Sequence, residues 1–462
     1  MSDPALMTAE PLLDLYATGR LSPVEALQSV TAHIAARNPG LNAFVVMNPA
    51  ALAAARDSEM RWHAGRPLGP LDGVPCTVKD LIDLAGFPTR RGSRTTSAAP
   101  VAQDAPTVLG LKAAGAVIIG KTTTTEFGWK SPGDCPLNGI TRNPWNPAHT
   151  PGGSSSGAGA AAAAGFGPLH LGTDAGGSVR IPAAWCGVVG LKPSFGRVPQ
   201  WPLGAFANVA VAGPLARSVR DVALMFGALA RFDRRDPFCL PDEARDWTAG
   251  IEDGVRGWRV GVLRAPGFPA PLDADGAASL EEAADRLQKA GAELEEATPE
   301  LPDIRTIFSR VWGVALARAV SAVPEASRAL LDPGLLLVAE ALAGMSAEAM
   351  MEAEAMRIAA AHAMAQLHAR HDLLLCPTVP QSAPLVDTPL HDPMRALWEE
   401  WAPWTFLFNL TRQPAISIPM GRNAAGLPRS VQLAAALYRD DAVLRGARAI
   451  ERQAEPLSTP HI

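Results

Sequence analysis

Asn143-Pro-Trp-Asn-Pro-Ala-His-Thr-Pro151-Gly152-Gly153-Ser154-Ser155-Ser156-Gly157, an Ala-rich run, and then Leu171-Gly-Thr-Asp174-Ala175-Gly176-Gly177-Ser178-Val-Arg180-Ile-Pro182 form the densest stretch of the chain. Ser178 follows two glycines. The backbone can therefore turn tightly there and present consecutive N–H groups to one point, as an oxyanion hole must for a developing tetrahedral O⁻. The first Ser/Gly cluster leads into Ala158–Ala164, small residues that let a helix pack close to another backbone. Such loops also occur as plain turns or phosphate cradles, but between 143 and 199 there is no G-x-x-x-x-G-K-[ST]. Gly153-Ser-Ser155-Ser-Gly157 formally matches G-x-S-x-G, which would make Ser155 a nucleophile. That elbow needs a strand before it, and prolines at 144, 147 and 151 exclude a central strand. The downstream histidines, His170, His362, His368 and His371, stand in no telling context, and S-x-x-K occurs nowhere.

Outward from this stretch the chain alternates helix and strand. Val74-Pro-Cys-Thr-Val78 reads as an apolar strand ending at Lys79-Asp80. Residues 104–114 predict a helix stopped by Gly115, followed by a buried strand over 116–119. A similar unit recurs as a helix over 280–290, Gly291, and a strand over 292–297. These units argue for an α/β sheet layered with helices. The first 60 residues read as helices, with Ser22-Pro23-Val24-Glu25 as a capping box and Gly19 ending the helix before it. Residues 345–371 predict one long Ala/Met/Glu helix. No low-complexity linker separates independent domains, so the expectation is one domain over 1–462. Within it we expect a helical N-terminal cap (1–65), a core (66–225), a variable insert (230–350) and a C-terminal core portion (370–455).

Composition narrows the function classes. The 462 residues carry 41 basic and 46 acidic side chains, a net charge of −5 that excludes a broad nucleic-acid footprint. Five cysteines, at 76, 135, 186, 239 and 376, form no C-x-x-C pair, and the nine histidines lack ligand spacing, so no metal site is expected. Residues 1–11 lack the basic and apolar regions of an export signal, and the longest apolar run is too short to cross a bilayer. A cytoplasmic enzyme with no membrane partner is the expectation. Of the 41 basic residues six are lysine (79, 112, 121, 130, 192 and 289), which leaves 35 arginines. In so Arg-biased a chain each lysine merits inspection, because lysine can lose its proton when buried and arginine cannot.

The block from Gly152 to Pro182 resembles the amidase signature family. Supporting motifs are Gly73-Val-Pro-Cys-Thr-Val-Lys79-Asp80, Gly120-Lys-Thr, Gly190-Leu-Lys-Pro-Ser-Phe-Gly-Arg-Val-Pro199 and Gly213-Pro-Leu-Ala-Arg-Ser-Val-Arg-Asp221. Asp372-Leu-Leu-Leu-Cys-Pro-Thr378, Asn409-Leu-Thr411 and Pro414-Ala-Ile-Ser-Ile-Pro419 follow in the same order. The separations of 75 residues from Lys79 to Ser154 and 24 from Ser154 to Ser178 are also like the family's. The resemblance implies a large mixed β-sheet with helices on both faces and a Ser-cisSer-Lys triad. In it Ser178 is the acyl-forming nucleophile, Ser154 the bridging serine after a cis peptide at Gly153–Ser154, and Lys79 the base. It implies oxyanion donors at the N–H groups of Ala175, Gly176, Gly177 and Ser178, with Asp174 and Arg180 shaping the loop. No cofactor is implied. Lys121 and Lys192 fall in family motifs and read as anchors.

The chain departs from the family at Thr123-Thr124-Thr125 before Glu126-Phe127, at Arg412-Gln413 and at Arg429-Ser430, none of them triad positions. For the substrate we expect a small hydrophobic or aryl carboxamide lined by Phe127, Trp129, Trp401 and Trp404. The last two belong to a three-residue spacing with Trp398 that reads equally as a packing stripe. Alternatives are a carbamate- or urea-type hydrolase and a glutamine-amidohydrolysing subunit of a tRNA-dependent amidotransferase. The expected partner is a small-molecule amide, and a homodimer is left open.

Overall fold

The computed structural model describes residues 3–243, 245–388, 401–455 and 457–460. Trp398 lies outside them. Among the described residues eleven strands join one mixed sheet. They are β1 (Phe44–Met47), β2 (Pro75–Lys79), β3 (Val117–Thr122), β4 (Leu169–Asp174), β5 (Val189–Lys192), β6 (Val211–Ala216), β7 (Arg259–Val262), β8 (Glu293–Glu296), β9 (Leu373–Pro377), β10 (Ala415–Arg422) and β11 (Pro428–Ala434). Their order across the sheet is β1-β3-β2-β4-β6-β5-β10-β11-β9-β7-β8. β3, β2 and β4 run parallel, as do β9, β7 and β8, and the remaining pairs are antiparallel. Residues 230–350 thus supply two strands, β7 and β8, at one edge of the same sheet.

Both faces are covered. Successive side chains of a strand point to opposite faces, and β9 illustrates this: Leu373 and Leu375 join a core with Val222, Phe226 and Leu444. Leu374 and Cys376 join another with Trp312, Phe406 and Phe408. Strands buried on both sides read as continuous apolar runs, which is why β2 and β9 look unalternated in sequence.

The predicted helices form as Pro23–Leu41, Pro106–Ala113, Ala274–Lys289 and Ala347–His368, with end shifts of at most three residues except at Ala274, which starts its helix six residues before the expected position. At Pro23 the capping box is complete, since Ser22 Oγ accepts from Glu25 N–H and Glu25 accepts from Ser22 N–H. Gly115-Ala-Val-Ile-Ile-Gly120-Lys121-Thr122 matches the phosphate-loop pattern formally. Its second half is the interior strand β3, however, and Gly120 is bare because a Cβ there would lie 2.5 Å from Val46 O. No loop remains to cradle a phosphate.

Candidate active site

β2 and β4 are parallel neighbours, so their C-terminal ends share one edge of the sheet. Lys79 is the last residue of β2, and Thr173 and Asp174 end β4. The carboxyl ends of such strands are where open α/β sheets place their sites. The helix Ser156–Ala163 brings the first serine cluster to the same edge. Its bare residues permit that approach: a Cβ on Gly157 would lie 2.2 Å from Ala43 O, and one on Gly159 2.8 Å from the Pro182 side chain. Upstream, the Asn143 amide donates to Thr150 O and Trp185 O, tying the proline-rich loop to the helix Arg180–Cys186. The Gly153–Ser154 peptide is cis.

Lys79, Ser154 and Ser178 meet. Lys79 Nζ lies 2.8 Å from Ser154 Oγ, and Ser154 Oγ lies 2.9 Å from Ser178 Oγ. Nζ also reaches Ser155 Oγ and Thr173 Oγ1, each at 2.9 Å. Ser155 Oγ in turn donates to Thr173 O at 3.2 Å. Lys79 is completely buried and, among the described residues, touches no carboxylate. Burial holds its amine well below the ordinary lysine value, with the Asp174 charge opposing only in part. Among the described residues no histidine bonds the triad. His170 bonds Thr77 and Gly167 within the sheet, and burial lowers its pKa to about 3.

The loop before Ser178 is held by a buried ionic knot. Asp174 takes the Arg180 guanidinium through two bonds of 3.0 Å, and Arg180 also donates to Asn409 and Gln432. Burial pushes the Asp174 carboxyl up, but Arg180 outweighs it and holds the group at about 2. Asp174 also accepts from Gly177 N–H at 2.8 Å and from Val179 N–H at 3.2 Å. This corrects the expectation for Gly177, whose N–H faces Asp174 and is not open to a ligand. Thr405 Oγ1 donates to Gly176 O at 2.5 Å and pins the loop from the far side.

A cavity of about 610 Å³ opens over Ser154 and Ser178. Phe127 lines it, together with Leu81, Ile82, Trp201, Phe206 and Leu316. Ser155 does not reach it. Trp129, Trp401 and Trp404 are core residues and, contrary to the substrate-lining expectation, do not line the cavity; Trp401 and Trp404 follow the packing-stripe alternative. Positive φ at Phe127 (49°) and Gly128 (79°) turns the chain. Phe127 then faces the cavity, while Trp129 packs against Gly334. Trp401 meets Trp185 edge-on at 6.3 Å, and Trp404 is sealed among the aromatic residues of the core. The aromatic wall instead comes from Trp201 and Phe206, the latter stacked on Trp312 at 4.0 Å. Two aromatic residues within the turn-rich run 199–206 were the only sequence signal for it.

The sequence matches the Amidase family model over residues 25–444. It is 34% identical to an acylamidase of Rhodococcus erythropolis, covering 96% of this chain and 95% of that protein. It is also 34% identical to a glutamyl-tRNA(Gln) amidotransferase subunit from Rhodopirellula baltica, covering 96% of each. Among solved structures a bacterial aryl acylamidase of the amidase signature family superposes with a TM-score of 0.89 at 30% identity, covering 97% of this chain and 96% of that one.

Proposed function

Because this chain belongs to the amidase signature family and is a hydrolase acting on amide C–N bonds, we propose that it cleaves small hydrophobic or aryl carboxamides through an acyl-enzyme on Ser178. The observation that carries the reading is the relay Lys79 Nζ–Ser154 Oγ–Ser178 Oγ, with steps of 2.8 and 2.9 Å, ending at the cavity. A neutral amine has two N–H donors and one lone pair. Ser155 Oγ spends its own hydrogen on Thr173 O and so can accept one N–H from Lys79; Thr173 Oγ1 accepts the other. The lone pair is then left to Ser154.

In the first step Ser178 Oγ attacks the amide carbon. Its proton passes to Ser154 Oγ while the Ser154 proton passes to Lys79 Nζ. The oxyanion forms beside Ala175, Gly176 and Ser178, whose N–H groups are its proposed donors; Gly177 contributes by shaping the turn. Lys79 then returns the proton through Ser154 to the leaving nitrogen, and the C–N bond breaks. Water attacks the ester by the same relay, and the Ser178 hydroxyl is restored.

A rate screen of the isolated protein against anilides, aliphatic amides and glutamine tests the substrate class, with anilides expected to turn over fastest. Turnover of glutamine alone, and only with added partner subunits, would favour the amidotransferase reading. Intact-mass analysis with a serine-reactive phosphonate should place the adduct on Ser178. An adduct on Ser155, with Ser178→Ala still active, would overturn the mechanism.

A further inference from the structure

We propose that Arg91 makes this cavity selective for amides that carry a carboxylate; the inference rests on the amide-hydrolase reading of the same site. Arg91 is rooted at the relay. Its N–H donates to Asp80 O at 3.1 Å, next to Lys79, and its carbonyl accepts from Phe127 N–H at 2.9 Å. Phe127 precedes Gly128, where a Cβ would lie 3.1 Å from Ser154 Oγ. Arg91 lines the cavity with Phe127, Ser154 and Ser178.

Two observations coincide at this arginine, although Arg412 shares the first (φ 65°) and Arg318 of the same lining shares the second. First, its backbone has φ 53°, in the left-handed region that disfavours every residue with a Cβ except Asn and Asp. Strained non-glycine positions cluster at ligand clamps, where the side chain is the reason the strain is kept. Second, its guanidinium has no hydrogen-bond acceptor, ion pair or ring among the described residues. Its neighbour Arg90 donates to Thr96 Oγ1 at 3.3 Å. Arg61 has Asp72, Arg197 has Glu243 and Arg357 has Glu354. Arg91 thus offers five donors in a fork that matches a carboxylate.

The charge around it agrees. Arg91, Arg318 and Asp83 line the cavity, and no ion pair joins any two of them, so the lining carries one positive charge in excess. The carboxylate can stand on the acyl or the amine side of the scissile bond. The compounds used should therefore cover both.

Two carboxylate-bearing anilides, succinanilate and 4-acetamidobenzoate, are compared with their neutral alcohols, 4-hydroxybutyranilide and 4-(hydroxymethyl)acetanilide. Dissociation constants are measured on the full-length Ser178→Ala protein, which reads binding without turnover, and KM and kcat are measured on the wild type. At least one acid is expected to bind about tenfold or more tighter than its alcohol, as a charge-assisted bond predicts. Arg91→Met should bring that ratio to near one through KM, and Arg91→Lys should restore part of it. Equal affinity for acids and alcohols in the parent, or a ratio untouched by Arg91→Met, would overturn the proposal. An Arg91→Met protein weakened equally toward all four compounds would assign Arg91 to scaffolding and also overturn it. If the wild type cleaves none of the four, the hydrolytic reading fails on these amides, while the binding ratios still decide the role of Arg91.

Discussion

Lys79 and Lys121 stand on neighbouring parallel strands, at paired positions Lys79↔Thr122 and Val78↔Lys121, and both are wholly buried. They differ in what they touch. Lys121 meets the Asp80 carboxylate at 2.7 Å, Pro88 O at 2.9 Å and Thr89 Oγ1 at 3.0 Å. Lys79 meets only hydroxyls, those of Ser154, Ser155 and Thr173. Burial disfavours the ammonium at both positions, but only at Lys121 does a carboxylate in contact oppose it. Two further buried lysines extend the series. Lys130, between Asp134 and Asp332, is raised above its ordinary value in spite of burial. Lys192, bonded to Pro193 O and with Asp174 and Asp440 farther off, is lowered by burial to about 7. Burial alone therefore does not make a base. A base needs burial without a carboxylate in contact, and within reach of a hydroxyl that leads to the substrate.

The largest effect should separate the two lysines by charge. Lys79→Arg keeps much of the stem but replaces a neutral amine with a permanent cation that cannot accept a proton. Positioned acid–base catalysis contributes on the order of 10²–10⁴-fold, so kcat of the folded enzyme should fall by at least that lower figure. The thermal midpoint should fall too, because the guanidinium is buried with no carboxylate in contact. The wild-type rate should rise with pH through the lowered Lys79 value, and the variant should lose that limb. A folded Lys79→Arg enzyme with near wild-type kcat would reduce Lys79 to a fixed charge and erase its difference from Lys121.

A smaller effect, on stability, should mark Lys121. Lys121→Met removes the cation from a buried Asp80, and breaking such a pair costs about 3–5 kcal/mol. Urea unfolding should register the loss, and the folded fraction should keep the pH limb of the rate. Loss of that limb in Lys121→Met would mean that the proton relay runs through this lysine as well.

The sequence made one side of this contrast legible and hid the other. Lys79 could be placed at a strand end, and Ser154 and Ser178 in glycine loops, because glycine and proline act locally and leave local signatures. The N-terminal capping box is legible for the same reason. The strand Phe44–Met47 was missed because four residues between two helices carry no periodicity of their own. The cavity wall escaped for a different reason. Trp201, Phe206 and Leu316 come together only through packing across 115 positions of chain, whereas Trp401 and Trp404 advertise a local pattern that the core absorbs. The Asp174–Gly177 bond was equally invisible, since nothing in Asp-Ala-Gly-Gly says which N–H the carboxylate will take.

The effect that is smallest per pH unit is a slope, and it tests the protonation state without any substrate. In the unfolded chain Lys79 titrates near the ordinary value of 10.5, whereas burial lowers it in the native protein. Between those two values the unfolded chain binds one proton more than the native one, so stability must rise with pH across that window. The contribution is about 1.4 kcal/mol per pH unit, the free energy of a tenfold change in proton activity. Lys79→Met lacks the group and lacks the slope. It also leaves three hydroxyls without their amine partner, but that loss is the same at every pH. The wild type should therefore gain stability on the Lys79→Met variant as pH rises from the lowered native value toward 10.5, and the gain should level off near 10.5. Unfolding free energies of the two proteins, measured in urea at four or five pH values, give the difference directly, because all other titrating groups are shared. A difference that stays flat across the range would mean that Lys79 keeps its proton in the folded protein. It would then be a buried cation like Lys130, and the serine relay would have no base to feed.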